Sequence, residues 1–224
     1  MKLLLPPLCL VVMLGCGVTE TGNPVPADVT VQARSSEPDR VDVGAPAGVT
    51  SVEEAWLAID RIRFVRGTVC DAAGEEEIDA DGPFVRDAAA PVPEPISAPL
   101  PPDDYCRVRL RLEPAEAVGA GPAGLRDHTL YVSGVRADGV PWVFRTEEDF
   151  DLDVRATDPI SLDEATNTLL VSLDVARWLD AIDLDAAVPV DGVVRIEQGS
   201  NEALLEALED RLDTIFDLLD DRQD

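Results

Sequence analysis

Apolar residues in this chain recur mainly at every second position, the period of a half-buried strand. The clearest run is Tyr105 to Leu112. There Cys106, Val108, Leu110 and Leu112 alternate with Arg107, Arg109 and Arg111, giving one apolar and one charged face. Phe150, Leu152 and Val154 alternate in the same way with Asp151, Asp153 and Arg155, and Val29, Val31 and Ala33 share a face. Leu130 to Arg136 and Val140 to Arg145 flank Ala137-Asp138-Gly139, a hairpin signal. Asn167 to Leu173 and Gly192 to Ile196 complete the predicted strands. Many short strands separated by turns predict a mainly β fold, an antiparallel β-sandwich.

One stretch carries two periods. Ser51 and Glu54 have capping-box spacing, and Val52, Ala55, Trp56 and Ile59 fit a helical face. Ala55, Leu57 and Ile59 also alternate, and Ile62 and Phe64 resume the alternation after Asp60. The β-branched and aromatic content favours a strand with a bulge near Asp60. Two helices are predicted. Asp174 can cap a short one holding Val175, Trp178, Leu179 and Ile182. Leu204, Leu205, Leu208, Leu212, Ile215, Phe216 and Leu219 form the stripe of an amphipathic C-terminal helix over about 200–221. Ser35 to Gly48 reads as a loop, and Pro91 to Pro102 as a long proline-rich connection.

The N-terminus sets the compartment. Lys2 is followed by an apolar run from Leu3 to Leu14, then Gly15 and Cys16, the layout of a secretory signal. Met13-Leu14-Gly15-Cys16 resembles the bacterial lipoprotein cleavage box. That resemblance implies removal of residues 1–15, lipidation of Cys16, and membrane attachment through the lipid. A membrane-spanning helix needs about twenty apolar residues, and this run ends before Thr19, Glu20 and Asn23. Residues 16–28 read as a lipidated tether, and 29–224 as a single domain. Gly17 stands where the common sorting rule places aspartate for inner-membrane retention, so the expected location is the outer membrane of a bacterial envelope.

Composition narrows the partners. The formal net charge is −27, with 45 acidic residues against 18 basic, which repels phosphate polyanions and excludes nucleic acid. Of four cysteines, Cys9 leaves with the signal and Cys16 takes the lipid. Cys70 and Cys106 remain as a disulfide pair in an oxidising compartment; closing that loop is worth about 4 kcal/mol on the chain-entropy estimate.

Catalytic signals are sparse. His128 is the one histidine and reads as a surface residue beside Asp127. Ser133-Gly134 lacks a nucleophile-elbow pattern, and Gly119-Ala120-Gly121-Pro122 is followed by no lysine. No catalytic or cofactor-binding residue is assigned. Carboxylates are expected on solvent faces, with no cleft in which a desolvated acid meets another. Glu77, Asp79 and Asp81 followed by Gly82 have the oxygen-donor spacing that opens an EF-hand loop, although Ala88 stands where a bidentate glutamate belongs. They are the candidate calcium ligands. The arginines of the Tyr105 to Leu112 strand are expected to pair with carboxylates of a neighbouring strand.

Several segments together resemble an uncharacterised family of bacterial lipoproteins with β-sandwich ectodomains. They are Thr21-Gly22-Asn23-Pro24, Glu53-Glu54-Ala55-Trp56-Leu57, Arg61-Ile62-Arg63-Phe64, Gly82-Pro83-Phe84-Val85, Tyr105-Cys106-Arg107-Val108 and Asp174-Val175-Ala176-Arg177-Trp178-Leu179, with the acidic C-terminus. The resemblance brings no activity and no catalytic residues. A more distant likeness to immunoglobulin-like and prealbumin-like modules is one of fold. The expectation is therefore a non-enzymatic envelope lipoprotein that binds a protein or glycan or serves structurally. A carboxylate-dependent hydrolase of envelope polymers and a calcium-dependent adhesion module are the alternatives.

Overall fold

The computed structural model describes residues 25–34, 49–70, 76–92, 94–163 and 167–220. The cleavage box, Cys16 and the loop at 35–48 lie outside the described residues. Of the described residues, 57% are in strands and 13% in helical turns, so the fold is mainly β as expected. The strands are β1 (Val25–Arg34), β2 (Val49–Arg66), β3 (Glu77–Asp87), β4 (Ile96–Leu100), β5 (Asp103–Leu112) and β6 (Leu130–Arg136). They continue with β7 (Pro141–Thr146), β8 (Phe150–Leu162), β9 (Thr168–Asp174), β10 (Val194–Ile196) and β11 (Phe216–Asp220). Two helices, α1 (Val175–Leu179) and α2 (Glu202–Glu209), accompany them. One sheet has the order β11-β9-β1-β4; the other runs β10-β7-β6-β2-β5-β8, with β3 also on β2. Val29 and Val31 from the first sheet join Leu57, Ile62, Phe64 and Leu110 from the second in one core.

The ambiguous stretch is the long strand β2, and the expected bulge is present. Pairing with β3 and β5 shifts register between Ile59 and Arg61. Ala55, Leu57 and Ile59 are buried before the shift, and Ile62 and Phe64 after it. A second register shift, against β6 between Val52 and Glu54, sets the buried Val52 and Ala55 three residues apart and mimics a helical period, which is why both readings fit. Gly82 sits against this bulge: a Cβ there would lie 2.5 Å from the Ile59 carbonyl oxygen and 2.7 Å from that of Asp60.

Several expectations need correction. The sheets are mixed rather than antiparallel, since β1 runs parallel to β9 and β7 parallel to β10. The tether reading extended to Asp28, but β1 starts at Val25. The proline-rich connection contains β4, whose Ile96, Ala98 and Leu100 are buried. Pro99 is tolerated there because β4 is an edge strand, where a missing N–H breaks no ladder on the open side. The C-terminal helix stops at Glu209, short of 221. Leu205 and Leu208 keep the helical stripe, but Phe216 and Leu218 are buried on a two-residue period around the exposed Asp217. Their strand β11 pairs antiparallel with β9. An available sheet edge outweighed a helical pattern whose last turn lacks any basic residue to offset the macrodipole.

The short helix α1 forms where expected but ends at Leu179, so that Ile182 lies in the turn after it. The Asp174 carboxylate accepts from the Arg177 backbone N–H at 2.9 Å, and Val175, Trp178 and Leu179 are buried. Trp178 stands edge-on to Phe144 at 4.8 Å and donates its indole N–H to the Leu208 carbonyl at 2.8 Å. One side chain thus ties α1, α2 and β7 together. Cys70 and Cys106 form the expected disulfide, with Cα atoms 4.8 Å apart, inside the range of about 4.4–6.8 Å such bonds require.

Two outcomes check this fold. A Cβ on Gly134 would lie 2.0 Å from the Ser51 carbonyl oxygen, because β6 presses its backbone on β2 there. Gly134→Ala is expected to cost at least about 2 kcal/mol and lower the thermal midpoint by roughly 4–8 °C. Gly67→Ala, whose nearest contact is 3.7 Å, serves as the control. Equal melting of Gly134→Ala and wild type would show this strand pairing to be wrong. Peptide mapping without reductant should recover Cys70 linked to Cys106, and reduction should remove about 2–4 kcal/mol of stability. Free thiols at both positions would contradict the pairing.

Candidate functional site

The outward face of the larger sheet is divided in two. Beside the first half of β2, Trp56 and Ala58 are covered by Ala115, Val118 and Leu125 from the segment after β5. Beside the second half the face is bare and charged, and its side chains are set by strand register. Across β3, β2, β5 and β8 one row reads Asp81, Arg61, Arg111, Asp151, and the next reads Asp79, Arg63, Arg109, Asp153. Each row is neutral as a whole, with two arginines opposed at its centre and an aspartate on either flank.

Like charges directly opposite one another destabilise a sheet, so the flanks have work to do. Arg63 donates to Asp79 with two nitrogens, at 2.7 and 3.1 Å, which holds the Asp79 carboxyl below its ordinary value and raises Arg63 further. Arg61 lies 3.3 Å from Asp81, and Arg107 lies 3.2 Å from Asp153. Arg111 pairs with Glu113 at 2.6 Å. Glu77 bridges the second row: one oxygen meets Arg63 at 2.9 Å and the other meets Arg109 at 2.9 Å. The expected pairing of the β5 arginines with carboxylates of other strands is therefore observed for Arg107 and Arg109, whereas the near partner of Arg111 is Glu113, two residues on. Between the arginine columns lies a trough of about 410 Å³, lined by Arg61, Arg63, Arg109, Arg111, Asp151, Leu152 and Asp153.

This geometry relocates the calcium candidates. Glu77, Asp79 and Asp81 lie on the strand β3, not in a loop, and alternate along one face. Each is engaged by an arginine. Among the described residues, no group of three or more carboxylate, histidine or cysteine side chains is placed to hold a metal ion. The loop reading failed because β3 supplies the counter-charges for β2, a pairing that short-range spacing does not reveal.

A second cleft, of about 260 Å³, departs from the expectation for carboxylates. His128, Arg145, Thr146, Glu147, Glu148, Glu202, Glu206 and Glu209 line it. Glu209, half-buried on the last turn of α2, is pushed up from the ordinary carboxylate value, first by burial and then by Glu148, Asp210 and Glu206; the Thr146 hydroxyl, donating to it, pulls the other way. Arg145 is taken by Glu197. The His128 Nδ1 lies 2.7 Å from the Arg126 carbonyl oxygen, and its Nε2 is 3.8 Å from Glu147. Sequence reasoning passed over this cleft because Glu209 and Thr146 are 63 residues apart. Another residue it missed is Arg136, a buried cation held by Asp138 and by the carbonyls of Leu184 and Ala187.

No protein-family model matches the chain, and comparison with curated proteins and with solved structures finds no match.

The raised Glu209 carboxyl has a definite sign in stability. The folded state holds the Glu209 proton more tightly than the unfolded chain. The resulting stabilisation is fully present below the ordinary glutamate value, near 4.3, and is lost as pH rises through the folded one. Glu209→Gln keeps an acceptor for Thr146 without a charge. It should raise the thermal midpoint at pH 7 and leave it nearly unchanged at pH 4. A gap that fails to close on acidification would show that Glu209 is not desolvated.

Proposed function

We propose that this chain is a lipid-anchored protein of the bacterial envelope whose body is a non-enzymatic binding or structural module. The observation that carries the reading is the charged face. Two ordered rows of opposed arginines flanked by aspartates line a trough on a rigid sheet, in a chain whose net charge is −27. A face built only for solubility has no need to set arginine against arginine. The two sheets around one core suit a sandwich of immunoglobulin-like or prealbumin-like kind. Strand β1 begins nine residues after Cys16, a stretch that spans at most about 30 Å. A lipid on Cys16 would therefore hold the domain close to the membrane, in our reading the outer membrane, with a protein or glycan as partner of the charged face.

A second reading is favoured by Glu209. A carboxylic acid with a raised pKa, beside Glu148 and Glu206 in a cleft, has the attributes of a general acid. The hydrolase alternative therefore rests on this cleft. Release of reducing ends from an envelope polysaccharide, abolished by Glu209→Gln, would replace the binding reading with it. Calcium-dependent adhesion has less behind it, because arginines occupy all three candidate carboxylates. A thermal midpoint raised by millimolar calcium over a chelator control would restore it.

Anchoring is tested directly. Growth with a labelled fatty acid should mark the mature protein, and Cys16→Ala should abolish the label and release the chain from the membrane fraction. Two or more acyl chains hold a protein stably, whereas one is marginal. Unlabelled wild-type protein in the soluble periplasm would end the lipoprotein reading.

A further inference from the structure

The two central arginine pairs are not equally satisfied. Arg63 and Arg109 share the Glu77 carboxylate, one oxygen each at 2.9 Å. That carboxylate lies across two guanidinium groups whose backbones are directly opposed. It shows which chemistry stabilises such a pair: an oxyanion with two or more acceptor oxygens. Arg61 and Arg111 are opposed in the same way one row along, but each has carboxylates of its own and shares none with the other. Asp81 is 3.3 Å from Arg61, while Glu113 and Asp60 lie 2.6 and 3.9 Å from Arg111. Among the described residues no carboxylate spans this pair, and the Nε of Arg61 faces Asp81 at 3.3 Å without making a well-aligned hydrogen bond to it. Both guanidinium groups line the 410 Å³ trough.

We propose that Arg61 and Arg111 form a binding site for a single oxyanion group, a carboxylate or phosphate carried by a small molecule or by the end of a longer neutral one. Bound there, the group repeats the role of Glu77 and relieves the repulsion between the pair. The size of the trough suits one sugar-sized unit. The net charge of the chain sets the other limit, because a polyanion meets long-range repulsion from 45 acidic residues. Asp151 and Asp153 on one wall penalise any ligand that extends a second negative charge towards β8. This assignment rests on the binding-module reading and names its ligand class.

Titration of the full chain in neutral detergent with inorganic phosphate and, separately, with glucuronate tests the assignment, with chloride holding ionic strength constant. Saturable binding of at least one probe is expected, in the millimolar range usual for one small anion. Arg61→Gln and Arg111→Gln should each weaken it at least about tenfold, since either removes half of the fork that spans the anion. Phosphate binding alone would identify a phosphoryl ligand, and glucuronate binding alone an acidic sugar; either result supports the site. Asp151→Asn should tighten binding several-fold by removing a wall charge. Should a glutamine variant fail to fold, Arg61→Lys and Arg111→Lys keep the charge and lose the planar fork, and still predict weaker binding. No saturable binding of either probe, or binding indifferent to Arg61 and Arg111, overturns the proposal. Such a result leaves the anchored-module reading intact, because the acyl label on Cys16 and polymer turnover at Glu209 report on that reading independently.

Discussion

The side-chain phase of β2 is the constraint from which the rest follows. A strand of 18 residues cannot keep one face on a core and still offer each half to a different neighbour without a reset. Asp60 supplies it. Strand β3 pairs with Trp56 to Val65, while β6 takes Val49 to Leu57 and β5 takes Ile59 to Arg66. Because β3 overlaps both partners, it must hold one edge of β2, and β6 and β5 share the other end to end. The sheet forks at the bulge. On one side of it the outward face is covered by Ala115, Val118 and Leu125; on the other it is left bare with Arg61 and Arg63. Bulges are known to re-aim side chains at such junctions. Gly82 is the residue that permits this one, since any Cβ would strike the carbonyls of Ile59 and Asp60.

Charge placement follows from that junction. With Arg61 and Arg63 turned outward, they meet Arg111 and Arg109 across the ladder, and the flanking strands must carry acids. Strand β3 does so with Glu77, Asp79 and Asp81, and β8 with Asp151 and Asp153. These exposed ion pairs contribute little individually, typically below about 1 kcal/mol. Their value lies in register, because a one-residue slip of β3 or β8 would turn the acids inward and leave the arginines opposed without compensation. Asp79, held below the usual carboxylate range by Arg63, contributes to stability above the ordinary carboxylate value. That contribution is lost as pH falls through its folded one.

Local patterns were legible where neighbours agreed with them. The β5 alternation, the hairpin at Asp138-Gly139, the Asp174 cap and the Asp60 bulge all depend on residues close in sequence, and all are present in the fold. The disulfide followed from counting the cysteines that an exported chain would be expected to keep. Elements whose identity depends on a distant partner were not legible. Strand β3 is half-exposed and acidic, and its reason for being a strand is the arginine column of β2. Strand β4 hides among prolines because an edge strand tolerates them. Strand β11 looked helical because Ile215, Phe216 and Leu219 extend the stripe of α2; the open edge of β9 decided the matter. The bridging of Arg63 and Arg109 by Glu77, and the burial of Glu209 against Thr146, are likewise long-range events.

The acidity of the chain and its arginine face are two sides of one arrangement. Six arginines lie in β2 and β5 alone, so basic charge is concentrated at the centre of one sheet while acids occupy the periphery. A field of this shape is negative at a distance, and only within the trough do guanidinium donors dominate. Long-range steering would not draw anions in. Recognition of an anion there would have to come from short, bidentate hydrogen bonds, which discriminate by geometry rather than by charge. A module built this way would reject the polyanions of its surroundings and retain a ligand that presents one oxyanion in the correct plane.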